Sequence, residues 1–591
     1  MGSIRRPFTC SRTCTPHASL LASREVRRAI SSTAGARYQH VLYLGDVLGY
    51  NSVDRLSKFP RAWLDAVGVS ADVGHGLRWE RVAGGVQHAL LAYTLLDQPL
   101  APASPRREAE ELVAPGTAVV EPREEGAEEQ VLEEAGGRRA SSSQPSKVFA
   151  VGRNTHAQLG LGFSSQEATR GMVTGQLTGE RGVQSVVAAG TFSLVVTEDS
   201  AGQSNVWGFG NDTLGQIGSS SAAASAASPA SGTDPYDVST RLSESDAPQL
   251  RLLPLPKRIP LDGEGWTVKS SAAGVDHSLL LLERELNGYT IQQVVSTGLN
   301  TDGQLGITPD SHKDAVPIPP LLSRSLQPVP IPLAPFPSCS AAAGGDQGAR
   351  VMQVVCGADT SYAVTQAGDL WVWGNSEYGQ TLAGVQDRIV APVRVPNPLP
   401  AAYAAHGIAA ACQGPVPRVR KLVAGGSFAA LLDTCGRVWT VGHAPRPTTT
   451  TTTTNADTPA DETLTLVQGL PGKATQLFCG LEYLLATTDT ADQTDEVYLW
   501  GIPPRSLSSQ PILEPTRIPY SIPKTPRQTW LDQNPRVKQE QQPQRRYGKL
   551  RVEAAACTRD HILLLVNDGV GKDYWAECDQ PPRDKGTDVS F

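Results

Sequence analysis

Apolar and polar positions along this chain fall into two phrases that take turns. One is a short run of aromatic and β-branched residues that stops at a glycine and opens into a polar turn. LWVWGNSEYGQTL, Leu370 to Leu382, is a clear copy. VFAVGRNTHAQLG (Val148 to Gly160), VWGFGNDTLGQIG (Val206 to Gly218) and VVSTGLNTDGQLG (Val294 to Gly306) repeat it. Gly374 falls in register with Gly152, Gly210 and Gly298, and Gln380 with Gln158, Gln216 and Gln304. Shorter copies end at Gly442 (VWTVG) and Gly501 (VYLWG), and VLYLG ending at Gly45 precedes them all, which makes seven. A phrase recurring this often is the signature of a repeat architecture.

The second phrase runs small-small-Gly, two variable residues, then an apolar run. Its copies are VAGGVQHALLAY from Val82, VAAGTFSLVVT from Val187, AAGVDHSLLLL from Ala272, VCGADTSYAVT from Val355, VAGGSFAALLD from Val423, FCGLEYLLATT from Phe478 and ACTRDHILLLV from Ala556, again seven. It leads directly into the first phrase. AALLDTCGRVWTVG, Ala429 to Gly442, reads strand, four-residue turn, strand, which is a hairpin signal. Ala188-Ala189-Gly190 and Ala272-Ala273-Gly274 carry no bulk, so they suit an innermost strand crowded round an axis. The terminal glycine suits a bend or a close backbone approach. One hairpin is marginal alone, but seven with added outer strands can stack round an axis and protect their edges. The expected fold is all-β, a seven-bladed β-propeller.

The pairing follows. Each apolar run pairs forward with the next glycine-terminated strand: 88–93 with 147–152, 192–197 with 205–210, 277–282 with 291–298, 361–365 with 369–374, 428–432 with 437–442 and 483–487 with 496–501. HVLYLG (His40 to Gly45) and HILLLV (His561 to Val566) are left over at opposite ends of the chain. Unpaired apolar edges are an aggregation liability. Pairing them supplies the seventh hairpin, with Tyr43 near Leu564 or a register neighbour.

The phrases resemble the repeats of the regulator of chromosome condensation family, roughly V-x-x-W-G-x-N-x-x-G-Q-L-G followed by V-x-x-V-x-x-G-x-x-H-S-L-x-L. The resemblance covers about 41–566. After Gly45, Gly442 and Gly501 no Gly-Gln-Leu-Gly follows, and Thr381-Leu382 replaces the usual Leu-Gly. The resemblance implies a propeller scaffold. Family members include nucleotide-exchange factors for small GTPases and chromatin binders. A mitochondrial branch with the same WGNSEY phrase is linked to organellar GTPases, mitoribosome assembly and respiratory-chain assembly.

At 591 residues the chain exceeds the roughly 350 that a seven-bladed propeller needs. The surplus is expected in disordered insertions at about 97–146, with ten Glu against five Arg; 219–250, rich in Ser and Ala; 308–348, rich in Pro; 443–463, with Thr448 to Thr454 consecutive; and 502–549, mixing Pro, Gln and basic residues. The domain reading is therefore a leader at 1–37, a propeller at 38–570 and a tail at 571–591. Residues 1–37 hold seven Arg, no Lys and one acid, Glu25, among many Ser and Thr. That is the composition of a mitochondrial transit peptide, with maturation expected near Tyr38 or Ser31. The competing reading is a basic tail touching nucleic acid. The expected location is mitochondrial, in the matrix or on the matrix face of the inner membrane.

Candidate chemistry is sparse. The net charge is −7, unlike a dedicated DNA-binding protein. Nine cysteines show no C-x-x-C pair, and Cys356, Cys479 and Cys557 share a repeat position with Ala189, Ala273 and Ala424 as small core residues. His88, His277 and His561 stand three residues after Gly85, Gly274 and Thr558. Ser193, Thr360, Phe428 and Tyr483 are read at the same position, which makes it a structural one, with a hydrogen bond to a neighbouring turn. GNDTLGQIG lacks the Gly-Lys-[Ser/Thr] ending of a phosphate loop. No stretch of about 18 apolar residues marks a membrane helix. No catalytic, cofactor or metal residues are assigned. The assigned positions are the structural glycines Gly152, Gly210, Gly298, Gly374, Gly442 and Gly501. The basic segment 524–551, with Arg536, Lys538, Arg545, Arg546 and Lys549 and the aromatics Trp530 and Tyr547, is a candidate contact for RNA or anionic lipid, or a solvated loop. The functional expectation is a non-enzymatic mitochondrial scaffold, an assembly factor for a respiratory-chain complex or the mitochondrial ribosome acting through protein contacts. The alternative is a guanine-nucleotide exchange factor.

Overall fold

Among the described residues the chain forms seven four-stranded antiparallel sheets, and one of them pairs the first described strand with the last. The structure is a computed structural model that describes residues 39–59, 76–96, 146–175, 177, 182–199, 201–219, 250–261, 263–286, 288–307, 324–331, 350–408, 416–445, 463–489, 495–520 and 551–567. Each blade opens with an inner strand. Numbered by these, blades 1 to 7 begin at Gly76–Gly84, Gly182–Ala188, Thr267–Ala273, Val351–Cys356, Val419–Ala424, Ala474–Cys479 and Arg551–Cys557. The inner strands touch in succession round the ring, blade 7 meeting blade 1. Small residues hold this position because each inner strand has a neighbour on both sides.

The second strand carries the apolar run and the third ends in the glycine. All six forward pairings appear, for example His88 opposite Gly152 and Thr360 opposite Gly374. Blade 7 is the closure. Its inner and second strands, Arg551–Cys557 and His561–Asn567, come from the end of the chain; its third and fourth, Gln39–Val47 and Tyr50–Lys58, come from the beginning. Leu42 faces Leu564 and Tyr43 faces Leu563, so the register neighbour of the expected pair is the true one.

Seven apolar clusters lie between consecutive blades. Trp373 sits between blades 3 and 4, Trp439 between 4 and 5, and Trp500 between 5 and 6, all fully buried. Removing such a side chain costs on the order of 3–5 kcal/mol. Adjacent blades therefore depend on each other, and the ring is one cooperative body in the ordinary sense of shared cores.

Three features differ from the sequence reading. Arg324–Pro330 is the outer strand of blade 3 and Ile512–Ile518 that of blade 6, although both lie in segments read as loops, 308–348 and 502–549. Outer strands bond on one edge only, so they tolerate proline and polar residues as loops do. A short helix, α1 (Leu399–Ala405), joins blade 4 to blade 5 and buries Leu399, Ala402 and Tyr403 in the cluster between them. In the third, the register of blade 2 stands one residue ahead of its glycine, Gly190. The segments 97–145, 220–249, 446–462 and 1–38 lie outside the described residues.

The repeat glycine has one physical cause. In each blade the residue after it donates its N–H to the carbonyl of the loop residue just before the second strand; in blade 4, Asn375 donates to Asp359 at 2.9 Å. Gly374 has φ +96°, and a Cβ there would lie 2.4 Å from that same Asp359 oxygen. A side chain is thus excluded by strain and by collision at once. Gly374→Val is expected to cost about 3 kcal/mol or more in urea unfolding. An unchanged midpoint would contradict this account of the repeat.

Candidate functional site

The loops between first and second strands and the polar turns after the glycines lie on one face, here the glycine-turn face. Its frame is made of backbone. The carbonyls of Gln87, Thr191, Asp276, Asp359, Ser427, Glu482 and Asp560 each accept the bond described above. Inner loops also bond from blade to blade: Val86 donates to Ala189 O, Ala358 to Gly425 O, Gly426 to Leu481 O, and Arg559 to Val86 O across the closure. In the turns, Gln158, Gln216, Gln304 and Gln380 fold back so that Oε1 accepts the N–H two residues earlier, at 2.8–3.0 Å. Asn154, Asp212 and Asn300 accept the N–H five residues on. Blade 4 replaces this asparagine with Ser376, whose Oγ pairs with Thr381, the residue that departs from Leu-Gly. Two departures thus compensate each other.

Because the frame recognises main chain, the side chains of those seven loop residues differ from blade to blade, with Thr191 Oγ1 accepting from Asn211 Nδ2 and Asp276 Oδ1 from Gln216 Nε2. They are Gln, Thr, Asp, Asp, Ser, Glu and Asp, and all are at least partly exposed. In blades 3 and 4 they form an acidic patch. Burial, then the charges of Asp302 and Asp276, raises the Asp359 carboxyl to about 6. Arg388 borders the patch, bonded to Thr301 O.

The histidines serve the blade junctions. His88 Nε2 meets Ser193 Oγ of blade 2 at 2.8 Å, and that hydroxyl donates to Gln158 O. His277 Nε2 meets Ser361 Oγ of blade 4, which donates to Gln304 O. A turn is therefore bonded as the sequence reading expected, through a serine of the next blade. The register needs correction, however. Ala189 donates to Phe192 O as Gly85 donates to His88 O, so Phe192, not Ser193, stands in the histidine position, and Ala188, not Ala189, matches the cysteine position. Gly190 sits one residue late in blade 2, and aligning on it shifts the reading by one.

Burial lowers His88 and His277 to about 3 and His561 to about 4, so all three are neutral. Among the described residues His561 Nε2 has no hydrogen-bond partner. Blade 1 presents Ala89 where blades 2 and 4 present Ser193 and Ser361. Ala89→Ser is expected to raise stability by about 1 kcal/mol, since it supplies the missing partner. A fall in melting temperature would show the hydroxyl buried without one.

The central channel has its own order. Every inner strand carries a β-bulge at one place, and the residue after it is Arg81, Ser185, Ser270, Gln353, Lys421, Gln476 or Ala554. These residues bridge blades: Arg81 donates to Gln184 O, Ser185 meets Ser271, and Gln353 bonds both N–H and C=O of Leu422. Sequence reading missed this belt. In blades 2 and 4 the signal was a polar residue, Ser185 or Gln353, between the valines of the inner strand, visible once the bulge is allowed for. Cys356, Cys479 and Cys557 line the channel, and burial pushes Cys479 up to about 12 and the other two higher, so they are neutral thiols. Among the described residues no group of three His, Cys, Asp or Glu is placed to hold a metal ion, and no helix is long and apolar enough to cross a membrane. Arg536, Lys538, Arg545, Arg546 and Lys549 lie outside the described residues.

Comparison with known proteins adds to this geometry. A family model described as the regulator of chromosome condensation (RCC1) repeat matches residues 351–380, the first three strands and turn of blade 4. Over 376 residues the chain is 26% identical to the human RCC1-like G exchanging factor-like protein, covering 61% of this chain and 64% of the relative, a little under two thirds of its length. Prp20p from Saccharomyces cerevisiae, in a crystal structure reported with its binding properties to Gsp1p and histones, matches at TM-score 0.51 and 15% identity over 92% of this chain and 94% of that one. A chain in the crystal structure of Kap60 bound to yeast RCC1 (Prp20) matches at 0.52 and 14%, over 97% and 98%. At these identities the two structures show the fold alone.

Proposed function

From the premise that the chain is a seven-bladed propeller of regulator of chromosome condensation repeats, we propose that it is a non-catalytic docking scaffold. It works in mitochondria as an assembly factor for a respiratory-chain complex or the mitochondrial ribosome. The observation that carries the docking role is the division of labour on the glycine-turn face. Main-chain bonds repeat in every blade, while the side chains they present change from blade to blade. A rigid frame with variable loops is how a propeller builds a binding surface. The acidic patch of Asp276, Asp302 and Asp359 favours a partner with a basic surface. The mitochondrial part rests on the arginine-rich, lysine-free composition of residues 1–37.

A second reading has its own support: the human relative is named for G exchange, and Prp20p was studied for binding Gsp1p. Exchange requires preferential binding to the nucleotide-free state of a GTPase. Proximity labelling in intact cells followed by fractionation separates the readings. Labelled ribosomal or respiratory-complex subunits support the scaffold. A GTPase retained only after nucleotide removal supports exchange. Labelling confined to nuclear proteins contradicts the mitochondrial assignment.

A further inference from the structure

We propose that the central channel is a binding site for a small oxyanion, seated at the ammonium of Lys421. The channel encloses about 330 Å³ and is lined by the inner strands and the loops that follow them. Small side chains and main chain make most of its wall, and among the described residues of that lining Lys421 is the one with a basic group. It stands in the polar belt of blade 5.

The ammonium is poorly compensated. Its Nζ lies 3.5 Å from Gln476 Oε1, at the limit of a hydrogen bond, and 4.1 Å from the centre of the Phe478 ring. Among the described residues no carboxylate forms an ion pair with it. The belt positions of the other blades hold Arg81, Ser185, Ser270, Gln353, Gln476 and Ala554, with no acid among them. Glu283, a carboxylate close to an inner strand, is engaged with Lys269 and Arg350. A largely desolvated cation with one weak acceptor and an aromatic face lacks a counter-ion. A channel of this size holds several waters or one small oxyanion.

The groups round the ammonium fix how binding would be felt. Cys479 of blade 6 and Cys557 of blade 7 are neutral thiols, and Arg420 is the neighbouring like charge on its own strand. Burial, the largest influence, lowers the Lys421 amine to about 8. An anion beside it stabilises the charged form, so binding takes up protons near that pH.

Isothermal titration of the full chain with sulfate, which does not itself titrate in this range, tests the proposal. Parallel titrations with acetate tell whether a tetrahedral oxyanion or a carboxylate is preferred. In two buffers of different ionisation enthalpy, saturable binding is expected with uptake of about half a proton per chain near pH 8, falling towards zero near pH 6.5. Lys421→Met is expected to abolish both. Lys421→Arg keeps a permanent charge, so it is expected to retain binding and lose the proton uptake, which keeps the test decisive if the Met variant does not fold. No saturable heat with either anion, or binding without proton uptake in the wild type, would overturn the proposal. So would equal binding in a folded Lys421→Met.

Discussion

Lowering the pH from about 7.5 to about 5 is expected to remove a large share of the propeller's stability. His88, His277 and His561 are held neutral, with folded values of about 3, 3 and 4 against an ordinary 6.5. The unfolded chain therefore binds more protons than the folded one as pH falls below 6.5. Stability is fully present above that value and is lost as pH falls towards the folded values. At pH 5 each histidine accounts for about 2 kcal/mol, and the three for about 6, against a total of about 5–15 for a folded protein. Asp359 acts in the opposite sense. Its folded value is raised to about 6, so its contribution is present at low pH and lost as pH rises through 6. It is part-exposed and screened by solvent; Asp495, also raised by burial, acts in the same sense, and the two offset only part of the histidine effect. The urea midpoint should fall steeply between pH 6.5 and 5, and less so when the three histidines are replaced by glutamine. A flat profile, or one that the triple replacement leaves unchanged, would show that the histidines do not govern it.

Charging the closing strand is expected to open the ring. Val41, Leu42, Leu44 and Val47 are buried, and the strand that carries them is the third of blade 7. Leu42→Asp places an unpaired carboxylate in the cluster between blades 6 and 7. Such a group costs on the order of 3–5 kcal/mol and deprives His561–Asn567 of a well-packed partner. Loss of cooperative unfolding with exposure of apolar surface is expected, read by dye binding. The reciprocal variant makes the same point by gain. Cysteines at Tyr43 and Leu563, directly opposed across the seam, should oxidise and add a few kcal/mol. A pair that resists cross-linking in the folded protein, together with a Leu42→Asp variant that melts normally, would contradict the closure.

The seam was legible in the sequence because counting left two apolar strands without partners, at opposite ends of the chain. The blades were legible because second and third strands are buried on both faces and read as continuous apolar runs, Phe192–Glu198 and Ser204–Asn211 among them. Outer strands were not. Ile512–Ile518 is mostly exposed and contains Pro515, so its composition matches that of a loop. The blade 2 slip has a different origin. Gly190 is placed by local packing against Val275, whereas the register is set by the Ala189–Phe192 bond, and sequence aligned the glycine. At the candidate site, the turn residues could be read from their repetition. The loop side chains that make the face distinctive could not, since a frame built from main chain leaves no pattern in them. Lys421 was hidden by the bulge before it, which shifts alternation by one residue.

Partners are expected to dock on the glycine-turn face, which site-directed photo-cross-linking can read out. A photoreactive residue is placed in turn at Gln87 and Glu482, whose carbonyls carry the frame. Controls sit at Ala201 and Gln366, in the hairpin turns on the opposite face. After irradiation in organelles, protein adducts are expected from the first set and to disappear when Asp276 and Asp359 are both replaced by lysine in the Glu482-labelled chain. Adducts arising only from Ala201 and Gln366 would place the docking surface on the other face and contradict the account.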